Sequence, residues 1–352
     1  MTPDVAPTVE ETATDIAEME VRGAATIADA AAAALADQAE ASTADTPAAF
    51  RADLEAAATE LYRTRPTAVS LPNALRYVLR GLEPEDDRDG EESKSVDRLR
   101  TETVARARRF QRDLEQAQDT LGSVGANRLR DGDVVMTHCH STDALACIEA
   151  AVDDGKHIEA IVKETRPRLQ GHITARALRE MGVPVTLIVD NAARRYLDDT
   201  DHVLVGADSI AADGSVINKI GTSGLAVNAR ERGVPVMVAA QSIKLHPDTM
   251  TGHTVEIEMR DEREVLEAED YLEIATDETS GAKGDGADGD VTDEGRLEAV
   301  DGGLTVENPA FDVTPPRHVD AIVTEHGQYP PESVVVLMRE LFGETTTDPW
   351  RA

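Results

Sequence analysis

The chain has 352 residues, of which 68 are Asp or Glu and 35 are Lys or Arg, for a net charge of −33. Its length and 41% hydrophobic content suit a globular protein of about two domains and exclude a chain disordered throughout. Only two cysteines are present, no apolar run nears the ~18 residues of a membrane helix, and the acidic N-terminus lacks a signal peptide's basic and apolar parts. These features exclude a disulfide scaffold and a four-cysteine zinc site, and we expect a cytoplasmic protein without a membrane partner. Nucleic acid is not expected as a partner, because so acidic a surface repels phosphate.

Residues 1–125 read as helical. Apolar spacing predicts helices over Val9–Met19 and Ala24–Ala41, separated by Arg22-Gly23. A third helix fits Pro47–Tyr62, with Pro47 suited to a first turn and Pro66 to a stop. A short helix fits Asn73–Leu82. Glu83–Lys94 reads as a solvated acidic linker, after which Ser95 can cap a long helix running to about Leu121.

From about residue 126 short apolar runs alternate with helical segments. Strands are expected at Val134–Thr137, Ile158–Val162, Val185–Val189, Val203–Val205, Val236–Ala239 and Ala321–Val323. Helices are expected at Ser141–Val152, Gln170–Met181 and Lys219–Arg232, with a last one from about Pro331 to Phe342. This alternation predicts an α/β fold, in which a helical N-terminal domain is followed by a Rossmann-like, mostly parallel, doubly wound sheet over 126–352. The stretch 277–301, rich in Gly, Asp and Glu, reads as an acidic loop insertion.

In such sheets ligands bind beyond the carboxyl ends of the strands, and three strand ends here are polar. The first is Thr137-His138-Cys139-His140-Ser141-Thr142. A Cys between a strand and a helix N-terminus is placed for a lowered thiol pKa, although a lone Cys is also a common core residue. His138 and His140 adjoin it, and adjacent residues of an extended segment point to opposite faces, so they do not readily share a metal with it. The second is Lys163-Glu164-Thr165-Arg166-Pro167-Arg168, which suits either a phosphate or a solvated turn. The third is Gly206-Ala207-Asp208-Ser209, where Asp208 fits an acid, a base or a turn residue. Asn218-Lys219 precedes Gly221-Thr222-Ser223-Gly224, an anion-friendly helix start that matches neither a Walker loop nor a dinucleotide fingerprint. Lys244, one of only six lysines in the chain, ends an apolar segment.

These motifs resemble a known superfamily. It unites methylthioribose-1-phosphate isomerases, archaeal ribose-1,5-bisphosphate isomerases and the regulatory subunits of eukaryotic initiation factor 2B. The likeness rests on Thr137-His138-Cys139, Glu164-Thr165-Arg166-Pro167 with Gln170-Gly171, and Gly206-Ala207-Asp208 with Asn218–Thr222. Met19–Ala24, Arg65-Pro66-Thr67 and Asn308–Pro316 extend it. Asp190–Tyr196 and Ala239–Pro247 are most similar to the ribose-1,5-bisphosphate branch. The resemblance implies Cys139 as proton acceptor and Asp208 as proton donor. It also implies substrate contacts from Arg22, Gly23, Ala24, Ala25, Arg65, Ser141, Thr142, Asp143, Asn218, Lys219 and Lys244. It implies a sugar bisphosphate substrate, no metal or other cofactor, AMP as a candidate activator, and a homo-oligomer that is a dimer or a trimer of dimers. His140 and Ala25 depart from the family's usual Asn and Gly. The rivals are the methylthioribose isomerase and a noncatalytic regulatory subunit. The second is disfavoured by the joint presence of Cys139 and Asp208.

The charge adds one expectation. Acid spread along the chain, few lysines and 3% aromatic residues fit a protein working in molar salt, where a Debye length of ~3 Å screens carboxylate repulsion.

Overall fold

The computed structural model describes residues 3–21, 23–65, 68–80, 82, 95–266 and 304–342. Arg22, the expected linker over Glu83–Lys94 and the expected insertion over 277–301 lie outside the described residues.

The chain opens with five helices: α1 (Pro7–Ala17), α2 (Ala24–Ala41), α3 (Pro47–Thr64), α4 (Ser70–Leu79) and α5 (Val96–Ala126). Thr46 caps α3 by accepting the Ala49 N–H at 3.2 Å, and Ser95 caps α5 by accepting that of Arg98 at 3.3 Å. Helix α4 starts three residues earlier than the sequence pattern predicts. Pro72 falls within its first turn, where no N–H is needed, so it does not delay the helix. Helix α5 runs five residues further, through two glycines that look like breakers. They serve the packing of α6 (Thr142–Asp153), because a Cβ on Gly125 would lie 2.2 Å from Cys147 Sγ and one on Gly122 2.8 Å from the Ala146 carbonyl oxygen. Phe50, Leu35, Leu54, Leu61, Leu75 and Leu99 make the core shared by α1–α5, and Ile243 joins it from far along the chain.

A seven-stranded sheet follows. Its strands are β1 (Val134–Thr137), β2 (Glu159–Lys163), β3 (Val185–Ile188), β4 (His202–Val205), β7 (Val236–Ala239), β10 (Ala321–Thr324) and β11 (Gly327–Tyr329), in the order β11-β10-β7-β4-β1-β2-β3. All neighbours pair in parallel except β10 with β11. Without β11 this is the 3-2-1-4-5-6 Rossmann order, with its switch point between β1 and β4. The strands read as continuous apolar runs because both faces are covered. Val203 and Val205 enter one core with α8 (Ala193–Tyr196), α9 (Thr222–Arg232) and α10 (Val334–Phe342). Leu204 enters another with α5, α6 and α7 (Gln170–Glu180).

A second sheet is not foreseen by the sequence pattern. It joins β8 (Leu245–His246), β5 (Ser209–Ala211), β6 (Val216–Lys219) and β9 (Phe311–Thr314) in that order. Lys219 therefore ends a strand, and the helix expected to begin there starts at Thr222. Likewise Pro331–Ser333 form a 3₁₀ turn before α10.

The packing of α5 on α6 has a measurable consequence. Gly125→Ala should lower unfolding free energy by about 1–3 kcal/mol through overpacking against Cys147, as read from denaturant midpoints at fixed KCl.

Candidate active site

Two strand ends meet at the switch point. After β1 the chain runs through His138, Cys139 and His140 to Ser141, whose hydroxyl caps α6 by accepting the Ala144 N–H at 3.2 Å. After β4 it runs through Gly206 and Ala207 to Asp208, whose N–H donates to the Ile217 carbonyl at 2.9 Å. Gly206 lets the two ends approach, since a Cβ there would sit 2.2 Å from Ser141 Oγ.

Cys139 is buried, with its Sγ 3.5 Å from Gln170 Oε1 at the start of α7. Its thiol pKa is pushed up to about 11, first by burial and then by the charge of Asp208, while Lys219 pulls it down. The expected lowering by the helix N-terminus is therefore not what the structure gives. Cys139 lies two residues before the α6 cap, and desolvation with a facing carboxylate outweighs the dipole.

Asp208 is exposed to solvent on one side, yet protein surrounds it closely enough that desolvation raises its carboxyl pKa. Lys244, Lys219 and Arg65 oppose that rise, and Glu258 adds to it. Three predicted cations thus converge on Asp208. Lys244 Nζ donates to Asp143 Oδ2 at 2.7 Å, and both side chains are buried. Gln241 supplies Asp143 with two further donors, its side-chain amide at 3.0 Å and its backbone N–H at 3.2 Å. The turn carrying Lys244 hangs from α4, where Asn73 Nδ2 donates to the carbonyls of Ile243 at 2.8 Å and Leu245 at 2.9 Å. Arg65, just past α3, pairs with Glu258 at 2.9 Å. These two residues and Met19, Thr64 and Arg260 line a cavity of about 470 Å³.

The other predicted contacts are placed differently. Asp143 is held beneath Lys244 by four polar contacts in all, counting its two from Gln241 and one each from Lys244 and the Cys147 thiol at its carbonyl. Thr142 is exposed in the first turn of α6. Asn218 Nδ2 donates to Thr222 Oγ1 at 3.0 Å, and Lys219 Nζ lies 4.7 Å from the centre of the Phe311 ring. Gly23, with φ +88°, opens α2, and Ala24 and Ala25 form its half-buried first turn. The start of α9, expected to welcome an external anion, already holds one from the chain. Asp312 accepts the N–H of Gly221 at 2.7 Å and of Ser223 at 3.1 Å.

Sequence reasoning missed Asn73, Gln241 and Glu258. Only Asn73 carried a signal, as a lone amide within a buried helical stripe. Among the described residues no three His, Cys, Asp or Glu side chains cluster to hold a metal ion. His138 Nε2 bonds the Ile220 carbonyl at 2.8 Å, and burial beside Lys163 lowers its pKa to about 4.

A parallel sheet in Rossmann order, a thiol and a carboxyl at its switch point and a helical layer over the strand ends define a Rossmann-like protein with an N-terminal helical layer. The chain belongs to the Initiation factor 2 subunit family, which it matches over residues 20–331. It is 73% identical over 348 residues to the ribose 1,5-bisphosphate isomerase of Haloterrigena turkmenica, covering 99% of this chain and 98% of that protein. It is 63% identical over 346 residues to the protein of the same name from Haloferax volcanii, covering 98% and 96%. Its fold is similar to the crystal structure of the Pyrococcus horikoshii OT3 translation initiation factor eIF-2B, with a TM-score of 0.71 and 26% identity over 94% of this chain and 100% of that one.

The raised thiol pKa is testable in the empty protein. Iodoacetamide reacts with thiolate, so Cys139 should stay almost unmodified near neutral pH. Its labelling should accelerate about tenfold per pH unit toward about 11, followed by peptide mass spectrometry. Asp208→Asn removes a charge that opposes the thiolate, and should shift this profile to lower pH.

Proposed function

We propose that the chain is an aldose–ketose isomerase converting ribose 1,5-bisphosphate to ribulose 1,5-bisphosphate. The observation that carries this reading is the facing of Cys139 and Asp208 across the switch point, with Lys219, Lys244 and Arg65 converging on the carboxyl. The names of the two haloarchaeal relatives, matched over nearly the whole chain, support the substrate.

The chemistry follows from the groups. A ribose with phosphate on its C1 oxygen has no free aldehyde, so its ring must open by protonation of the ring oxygen. Asp208, whose carboxyl pKa is raised by burial, donates it. Positive charge developing at C1 acidifies the C2 proton and favours thiolate over thiol. Cys139 takes that proton to give an enol phosphate, then returns it at C1. The C2 hydroxyl gives its own proton back to Asp208, leaving a ketone at C2. Each group ends as it began. The high thiol pKa makes the thiolate a strong base once formed. Proton transfers of this kind need neither metal nor nicotinamide, and the proposal includes none. The cations serve the substrate phosphates by charge-assisted hydrogen bonds, with Arg22 and the first turn of α2 as further contacts.

The resemblance adds further elements to the proposal: AMP as activator, a place in nucleotide salvage, a cytoplasmic setting, and a division near residue 125 into a helical and a Rossmann-like domain. It also adds a homo-oligomer built from dimers. Exposed Ile173, Leu187 and Val189, along the edge strand β3 and neighbouring α7, support a surface that another copy covers.

Cys139→Ser and Asp208→Asn should each lower kcat by at least about 10²–10⁴-fold while leaving substrate binding, because the phosphate ligands are other residues. Product formed by wild type in D₂O should carry deuterium at C1, read by NMR. A folded Cys139→Ser variant with wild-type turnover would refute the assignment of the base.

The charge predicts a salt response. The 33 excess negative charges should make the melting temperature rise between 0.1 and 2 M KCl, as screening weakens their repulsion. A flat or falling curve would sink the reading of a protein adapted to molar salt.

A further inference from the structure

Cys139 adopts φ +70°, in the left-handed region that a residue with a Cβ rarely occupies. Both of its backbone polar groups end on buried threonine hydroxyls from different elements. Its N–H donates to Thr165 Oγ1 at 2.9 Å, and its carbonyl accepts from Thr174 Oγ1 at 2.8 Å. Thr165 lies past the end of β2, itself left-handed at φ +62°. It is held there by Asp190, which accepts the N–H of Thr165 at 3.0 Å and that of Arg166 at 2.8 Å. Thr174 sits one turn into α7, on the same helix as Gln170, whose amide oxygen lies beside Sγ.

The hydrogens can be assigned. The Ile220 carbonyl can only accept, so His138 Nε2 carries a proton and Nδ1 is an acceptor. Thr165 Oγ1 has two acceptors for its hydrogen, that Nδ1 at 3.2 Å and the Lys163 carbonyl at 3.1 Å, and keeps its lone pairs for the Cys139 N–H. Thr174 gives its hydrogen to the Cys139 carbonyl and accepts from His140 Nδ1 at 3.1 Å. The two histidines that flank the cysteine each lie within hydrogen-bonding distance of a hydroxyl that grips it. That accounts for two polar residues beside a buried thiol.

We propose that Thr165 and Thr174 are positioning residues for proton transfer. Their hydroxyls clamp the two backbone polar groups of Cys139 and hold the left-handed conformation that sets its thiol at the cleft. This rests on the reading of Cys139 as the proton-transferring group. Neither threonine touches the substrate in this scheme, so their loss acts on kcat through misplacement of sulfur.

Valine replaces threonine with almost no change of shape and removes only the hydroxyl. Thr165→Val should lower kcat by about 10–100-fold, the scale of a small misplacement of a reacting group, with KM nearly unchanged. Thr165→Ser should restore most of the turnover. In a Cys139→Ala background Thr165→Val should cause no further loss of residual activity. Thr174→Val and Thr174→Ser should repeat the pattern, and they decide the matter alone if Thr165→Val does not fold. Wild-type kcat in the valine variants, alongside an inactive Cys139→Ala, would overturn the clamp and leave the assignment of Cys139 intact. A serine variant as impaired as the valine would show that the hydroxyl does not by itself hold the cysteine, and would overturn the clamp too. Full turnover by Cys139→Ala would overturn the assignment of the base, and the clamp with it.

Discussion

Where β1 and β4 diverge, the backbone of Gly206 runs so close to Ser141 that no side chain fits between them. That approach brings the polar end of one strand against the polar end of the other, and everything at the site inherits its geometry from it. Ser141 must then serve as the cap of α6, Asp143 must turn inward two residues on, and Asp208 must face the thiol. A Rossmann-ordered sheet supplies the crevice, and the missing Cβ allows a thiol and a carboxyl from separate strand ends to be brought together there.

Charge is distributed to suit this. Three of the chain's six lysines, Lys163, Lys219 and Lys244, are buried around the cleft of a protein with a net charge of −33. Two of these ammonium groups have a carboxylate or carbonyl close by, and the third, Lys219, lies over the Phe311 ring. Lys244 is paired with Asp143, and Lys163 Nζ lies 3.3 Å from the Gly221 carbonyl and 4.0 Å from Asp190. A buried pair is a weak source of stability, because desolvation offsets most of the attraction. Its value here is placement, since an ammonium held by one carboxylate still has hydrogens to offer toward the cleft.

The sequence pattern located the main strands well because each is buried on two faces. Such strands stand out as short apolar runs between turn residues, as with Val134–Thr137 and Val236–Ala239, whose bounds agree with the structure. The smaller sheet was illegible. Its strands have two to four residues, and their pairing depends on partners up to 98 residues apart, as between Val216 and Thr314. Gly122 and Gly125 carried the opposite lesson, because a contact with another helix overrode their low helix propensity. At the site, the motifs named the polar strand ends. The bonds of the supporting Asn73, Gln241 and Glu258 could not be read, even where Asn73 stood out as a lone amide, since an amide or carboxylate has no periodicity to betray what it bonds.

Asn73 carries a consequence for how the molecule can be divided. Its amide holds the carbonyls on either side of Lys244, and Ile243, which bears one of them, is packed into the helical core. A fragment containing only the sheet and its helices would lose both the donor for those carbonyls and the cover for that isoleucine. Exchange of the helical layer between relatives would succeed only where the incoming α4 brings an amide to the same place. The first 80 residues, which among those described supply Arg65 to the cations around Asp208, are thus part of the foundation under another cation and cannot be trimmed as a separate accessory.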